Sequence, residues 1–201
     1  MSSKEALSIH QKIKQIRTSL GKTQQEFLDM LGGGMDDSTL SKVENGAEVS
    51  YEMVIRMALV FKGSESYLFG WSDEMPDMSH LWATPDEVND RIATLEIGNR
   101  LKWVALRCGI SAKAMGLVFG CSESAINQYW ASEKMPKFEY MKAFLSVDDY
   151  RKYDAFLLGL TDKMPAEPSD GIALRLRRVA SHLKHNRSEE HTSELQSLSH
   201  L

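Results

Sequence analysis

Three stretches of the chain share one apolar rhythm. Ile9, Ile13, Ile16 and Leu20 form the first, Ile97, Leu101, Val104 and Cys108 the second, and Ile172, Leu176, Val179 and Leu183 the third. Each set recurs at i, i+4, i+7 and i+11, the single stripe of an amphipathic helix. Basic residues fill the remaining positions, with Lys12, Lys14 and Arg17 in the first, Arg100, Lys102 and Arg107 in the second, and Arg175, Arg177, Arg178 and Lys184 in the third. They are read as the solvated face.

The segment after the first stripe is more informative than the stripe itself. Gly21 is placed to end that helix, and Thr23-Gln24-Gln25-Glu26 has the Ser/Thr-x-x-Glu spacing of a capping box opening another. Phe27, Leu28 and Leu31 give the second helix its buried side, and Gly32-Gly33-Gly34 breaks it. Asp36 or Asp37 can cap a third helix running to Glu44, which Asn45-Gly46 ends. Tyr51 to Phe61 and Ser64 to Phe69 read as a fourth and a fifth helix. Short helices this closely spaced predict a compact all-α bundle.

The strings Thr23-Gln24-Gln25-Glu26-Phe27-Leu28 and Ser38-Thr39-Leu40-Ser41-Lys42-Val43-Glu44-Asn45-Gly46 resemble the phage-repressor-like (Cro/CI, XRE) helix-turn-helix family over Ile9 to about Trp71. The resemblance implies a lambda-repressor-like bundle whose third helix enters the DNA major groove. Gly32 to Asp36 departs from it, being longer than the family's usual turn by about two residues. The second rhythmic stretch matches in spacing more than in letters. Gly109-Ile110-Ser111 separates two helices, Ala112 to Phe119 is the next, Gly120-Cys121-Ser122 the turn, and Glu123 to Trp130 the third. Ala112 stands where the family has its phosphate-binding glutamine, and Trp130-Ala131-Ser132 replaces Glu-Asn-Gly. The expected architecture is therefore all-α with tandem helix-turn-helix bundles at 1–70 and 92–164, an acidic linker at 71–91, and the start of a third unit at 165–186. Arg187 to Ser197 (RSEEHTSELQS) resembles a translated sequencing adapter, so 187–201 is expected to be artefactual and the natural chain to continue beyond Asn186.

The third helix of such a unit offers the residues of its first turns to base edges. In the first unit these are Asp37, Ser38, Thr39, Ser41 and Lys42, because Leu40 and Val43 face inward. Lys42 can donate to guanine O6 and N7, and the hydroxyls can donate or accept. Asp37 would repel phosphate unless it caps the helix, the favoured reading, or accepts from cytosine N4. The resemblance implies that Gln24 and Asn45 hold phosphates, where a helix N-terminus suits an anion; the alternatives are a solvated first-turn residue and a C-cap. In the second unit the matching face is Glu123, Ser124, Asn127 and Gln128, with Asn and Gln suited to adenine and Lys113 placed to reach phosphate, and for this unit DNA contact and protein contact are equally open. Tyr129 and Trp130 are expected in the core; an exposed Trp130 would signal a protein interface instead.

Composition narrows the classes. Hydrophobic residues make up 42% and charged residues 26% of 201, an ordinary globular balance. Net charge is −4, which argues against an indiscriminate nucleic-acid binder. Much of the acidity sits in 71–91, where Asp73, Glu74, Asp77, Asp86, Glu87 and Asp90 face Arg91 alone. Extended, that linker would reach roughly 65 Å, enough for two units on grooves about 34 Å apart; homodimerisation is equally open. Met75-Pro76 and Thr84-Pro85 suggest a non-helical connector, with Leu81 and Trp82 able to dock. Two cysteines without CxxC or Cys/His spacing argue against zinc and for a reducing cytoplasm. No P-loop lysine comes after the glycines, His10, His80, His182 and His185 are scattered, and no catalytic constellation emerges. No cofactor, metal, membrane or small-molecule substrate is expected. The leading expectation is a sequence-specific regulator binding double-stranded DNA, a repressor-like protein of prokaryotic or phage type. The rival is a helix-turn-helix bundle reused for protein interaction, antitoxin-like or within a phage regulatory assembly.

Overall fold

A computed structural model describes residues 6–165. The third amphipathic stretch and the adapter-like segment lie outside them. The first helical group comprises α1 (Ile9–Ser19), α2 (Gln24–Met30), α3 (Asp37–Glu44), α4 (Tyr51–Val60) and α5 (Ser64–Phe69). The second comprises α7 (Ile97–Arg107), α8 (Ala112–Phe119), α9 (Glu123–Trp130), α10 (Phe138–Leu145), α11 (Asp148–Arg151) and α12 (Asp154–Leu157), with α6 (Pro85–Thr94) between the groups. No strand is present among the described residues. The fold is all-α.

Local chemistry sets the helix starts. Ser8 with Gln11 and Thr23 with Glu26 form reciprocal capping boxes, each satisfying two otherwise unpaired donors. Asp36, Ser50, Ser111 and Ser122 accept from the third residue of the helices they open. Ile9, Ile13 and Ile16 are buried, as are Ile97, Leu101, Val104 and Cys108, so both described stripes face the core. Phe27 and Phe61 stack with centroids 6.0 Å apart inside the first group, and Phe119 stacks on Tyr140 at 5.3 Å inside the second.

Two expectations need correction. The helical pattern puts Lys12 and Arg100 on solvated faces, yet they are 4% and 7% exposed. Lys12 Nζ donates to the Tyr67 carbonyl at 2.7 Å. Arg100 donates to the carbonyls of Leu95, Phe156 and Thr161 at 2.8–2.9 Å and to the Asp162 carboxylate. Each long cation thus reaches carbonyls at or beyond a helix end, where the last C=O groups lack a full set of intrahelical partners and favour a cation. The connector is also not wholly non-helical. Thr84 and Glu87 form a capping box with Pro85 at the first helical position, and this opens α6. Its Val88 is fully buried, and the Trp82 amide donates to the Val60 carbonyl at 3.0 Å.

Among the described residues the groups share one antiparallel backbone pairing, between Ser50 and Lys137. The Phe138 amide donates to the Val49 carbonyl at 3.3 Å, and Lys137 Nζ pairs with Glu48 at 2.5 Å. Phe69 meets Phe138 at 5.1 Å, and the Arg151 guanidinium lies 4.4 Å from the Trp71 ring centre. Buried side chains of both groups form one continuous core.

Gly98 sets how closely α7 approaches α9. A β-carbon there would lie 2.1 Å from the Tyr129 carbonyl oxygen and 2.9 Å from the Ser132 amide nitrogen. Neither backbone atom can swing aside. Gly98→Ala is therefore expected to destabilise the fold by about 2–3 kcal/mol, read as a lower urea midpoint with unchanged slope. An unchanged midpoint would mean that α7 and α9 separate freely.

Candidate nucleic-acid interface

Glu44, the last residue of α3, joins three helices. Its carboxylate receives two hydrogen bonds from the Arg17 guanidinium of α1, at 2.6 and 2.9 Å, and one from the Gln24 amide of α2 at 3.0 Å. Arg17 also donates to the Lys22 carbonyl at 2.7 Å, tying in the α1–α2 turn. The Arg17 and Glu44 side chains are 14% and 4% exposed. Burial alone would raise the Glu44 pKa, but donation from Arg17 and Gln24 outweighs it and holds the carboxyl below its ordinary range. His10 Nδ1 sits 2.8 Å from the Val43 carbonyl, further securing α1 to α3.

This network leaves the α3 N-terminal half outward. Asp36, not Asp37, is the cap: its carboxylate accepts from the Thr39 amide at 2.7 Å and from the Ser38 and Thr39 hydroxyls at 2.6 and 3.0 Å. Those three donors hold the Asp36 carboxyl below its usual range. The expectation that Asp37 caps the helix is thereby corrected. It is the first helical residue, exposed, with the cap already supplied one residue earlier. Ser38 and Lys42 are exposed, and Thr39 and Ser41 half-buried. Gln24 is half-buried with one amide proton used by Glu44 and the second remaining. Asn45 donates from Nδ2 to the Ser41 carbonyl at 2.8 Å and is exposed, which is C-cap geometry.

The connection between α2 and α3 spans Leu31 to Asp36, whereas Gly120 to Ser122 suffices between α8 and α9. The longer one is held from outside its own motif. Arg56 of α4 donates to the Leu31 carbonyl and to the Asn89 side chain, both at 2.9 Å, and Asn89 of α6 donates to the Gly32 carbonyl at 2.8 Å. Gly32 has φ of +92°, and a β-carbon there would come within 2.8 Å of Asn89 and 3.0 Å of the Pro85 carbonyl. Only glycine meets both demands. Arg17, Glu44, Arg56 and Asn89 thus position the candidate interface, although the sequence pattern marks none of them for that role. The Ser/Thr-x-x-Glu spacing at Thr84 was the available signal for α6, and hence for Asn89.

In the second group, Glu123, Ser124 and Asn127 are exposed on α9, Gln128 is half-buried, and Lys113 is exposed in the first turn of α8. Tyr129 is buried and packs near Phe119 and Tyr140 at 6.5 and 6.3 Å. Trp130 is half-buried, so it does not head an exposed patch. The large exposed apolar side chains of this group are Trp103, Leu106, Leu117 and Leu160. Among the described residues no cluster of His, Cys, Asp and Glu has the makings of a metal site, and no helix is long and apolar enough to cross a membrane.

Residues 13–68 match the Helix-turn-helix family model. The first helical group therefore contains a helix-turn-helix domain, of the kind found in DNA-binding regulators and in agreement with the Cro/CI-like resemblance of Thr23–Leu28 and Ser38–Gly46. No curated protein and no solved structure matches the chain.

Proposed function

We propose that the chain is a sequence-specific DNA-binding transcriptional regulator of prokaryotic or phage type, acting in the cytoplasm without catalysis. The observation that carries this reading is the exposed α3 N-terminal half of a helix-turn-helix domain, braced through Glu44 to α1 and α2. In it, Asp37, Ser38, Thr39, Ser41 and Lys42 face base edges, and Gln24 and Asn45 approach phosphates with their remaining amide protons. Lys113, Glu123, Ser124, Asn127 and Gln128 form the corresponding set on α8 and α9. The acidic net charge of −4 suits a protein that discriminates among sequences over one that coats DNA.

Selection from random duplex DNA, run at two salt concentrations, tests this. Enrichment of a motif whose affinity falls as salt rises is expected, because bound lysines and arginines release counterions. No enrichment at either concentration would overturn it. Lys42→Ala is expected to weaken binding by about tenfold and relax one base position, in line with about 1–3 kcal/mol for a good base contact. Unchanged selectivity would remove Lys42 from the interface. The rival protein-interaction reading draws support from Trp103 and Leu106, 55% and 61% exposed on α7.

A further inference from the structure

Residues of the two helical groups correspond at a nearly constant offset. Lys12 of α1 donates to the Tyr67 carbonyl of α5, and Arg100 of α7 donates to the Phe156 carbonyl of α12. Gly21 and Gly109 come after the first helices with φ of +64° and +66°; Gly70 and Gly159 come after the last with +81° and +73°. Thr23 and Ser111 cap α2 and α8, Asp36 and Ser122 cap α3 and α9, and Ser50 and Lys137 stand immediately before α4 and α10. Ser50 is therefore the counterpart of Lys137, and these two residues pair across the junction.

An antiparallel pairing of a residue with its own counterpart is the mark of a two-fold axis, as at an isologous dimer interface. A head-to-tail arrangement would pair unlike positions. One further contact obeys the same axis. The counterpart helices α4 and α10 pack on each other.

We infer that residues 97–159 repeat residues 9–70 about an internal pseudo-two-fold axis through Ser50 and Lys137, so that one chain presents α3 and α9 to an inverted, two-part DNA site. This rests on the DNA-binding reading. The axis makes the two half-sites inverted, and the unlike residues on the two helices make them different in sequence. Asp37, Ser38 and Lys42 read one, and Glu123, Ser124 and Asn127 the other. The segments from Glu44 to Ser50 and from Trp130 to Lys137 reach at most about 20–25 Å each. Both helices thus stay within range of half-sites about 34 Å apart. A binder of this design needs no dimerisation step, and its affinity is independent of self-association.

The test is selection from random duplex DNA with the full chain, followed by a mass measurement of the complex. The expected product is two unlike half-sites in inverted orientation, about 10 base pairs centre to centre, with one chain per duplex. Lys42→Ala should relax one half-site only, and Asn127→Ala the other only. Inserting 5 base pairs between the halves turns them to opposite faces and should cost at least about tenfold in affinity. A single half-site, direct repeats, or two chains on two identical halves would overturn the pseudo-dimer and leave the DNA-binding reading standing. Absence of any enriched sequence would overturn both.

Discussion

Glu44→Ala is expected to destabilise the helix-turn-helix domain by about 3–5 kcal/mol, because it leaves the Arg17 guanidinium buried without its partner. The Glu44 side chain is 4% exposed and accepts from two different helices; Arg17 reaches both carboxylate oxygens, and Gln24 shares one of them. Loss of the pair removes the cross-tie between α1, α2 and α3 together. Urea denaturation of the variant would check this; a loss below about 1 kcal/mol would class the pair with exposed ion pairs. The same site fixes a pH dependence. The folded Glu44 pKa lies below its ordinary value of about 4.3. A lowered carboxylate contributes its stability above the unfolded pKa and loses it as pH falls through the folded one. Stability should therefore decline below about pH 4, and Glu44→Gln should flatten that decline. Asp162, held at about 2 by hydrogen bonds from Arg91 and Arg100, changes with the same sign.

Arg100→Ala should be nearly as damaging, about 3–4 kcal/mol. Its guanidinium closes the second helical group by donating to three backbone carbonyls in two separate segments. Removing it takes a donor from the carbonyls of Leu95, Phe156 and Thr161 in a site where the arginine itself is 7% exposed; Phe156 keeps the Gly159 amide, and Leu95 and Thr161 lose the arginine's hydrogen bond. Arg100→Lys should recover only part of the loss, since an ammonium cannot span the planar fork's acceptors. If the lysine variant were fully stable, the role would belong to charge alone. Thermal unfolding of both variants separates the outcomes.

The two described apolar stripes and the caps at Thr23 and Ser111 were legible because period and capping are local properties of the chain. The buried state of Lys12 and Arg100 was not. A long cation on a helix flank reads as solvated, and only the arrival of a carbonyl more than fifty residues away makes burial favourable. The linker misleads through its charge. Six acidic residues and two X-Pro steps suggest an extended connector, although Thr84-Pro85-Asp86-Glu87 carries both a capping box and proline at the first helical position. At the interface, the exposed set on α3 is readable from the pattern of Leu40 and Val43 facing inward. The use of Asp36 as cap in place of Asp37 depends on where the lengthened turn ends, and that turn is set by Arg56 and Asn89.

The pairing of Ser50 with Lys137 also bears on how the chain is made. Val49, Tyr51 and Phe69 emerge from the ribosome well before the segment around Phe138 that covers them. At about 5–20 residues per second, roughly 4–18 s of synthesis separate the two. For that interval the first helical group displays an apolar face that the second group later covers. In a polysome the same face on a neighbouring nascent chain is within reach, and exchange of the second helical group between chains is the characteristic misassembly such an order of synthesis invites.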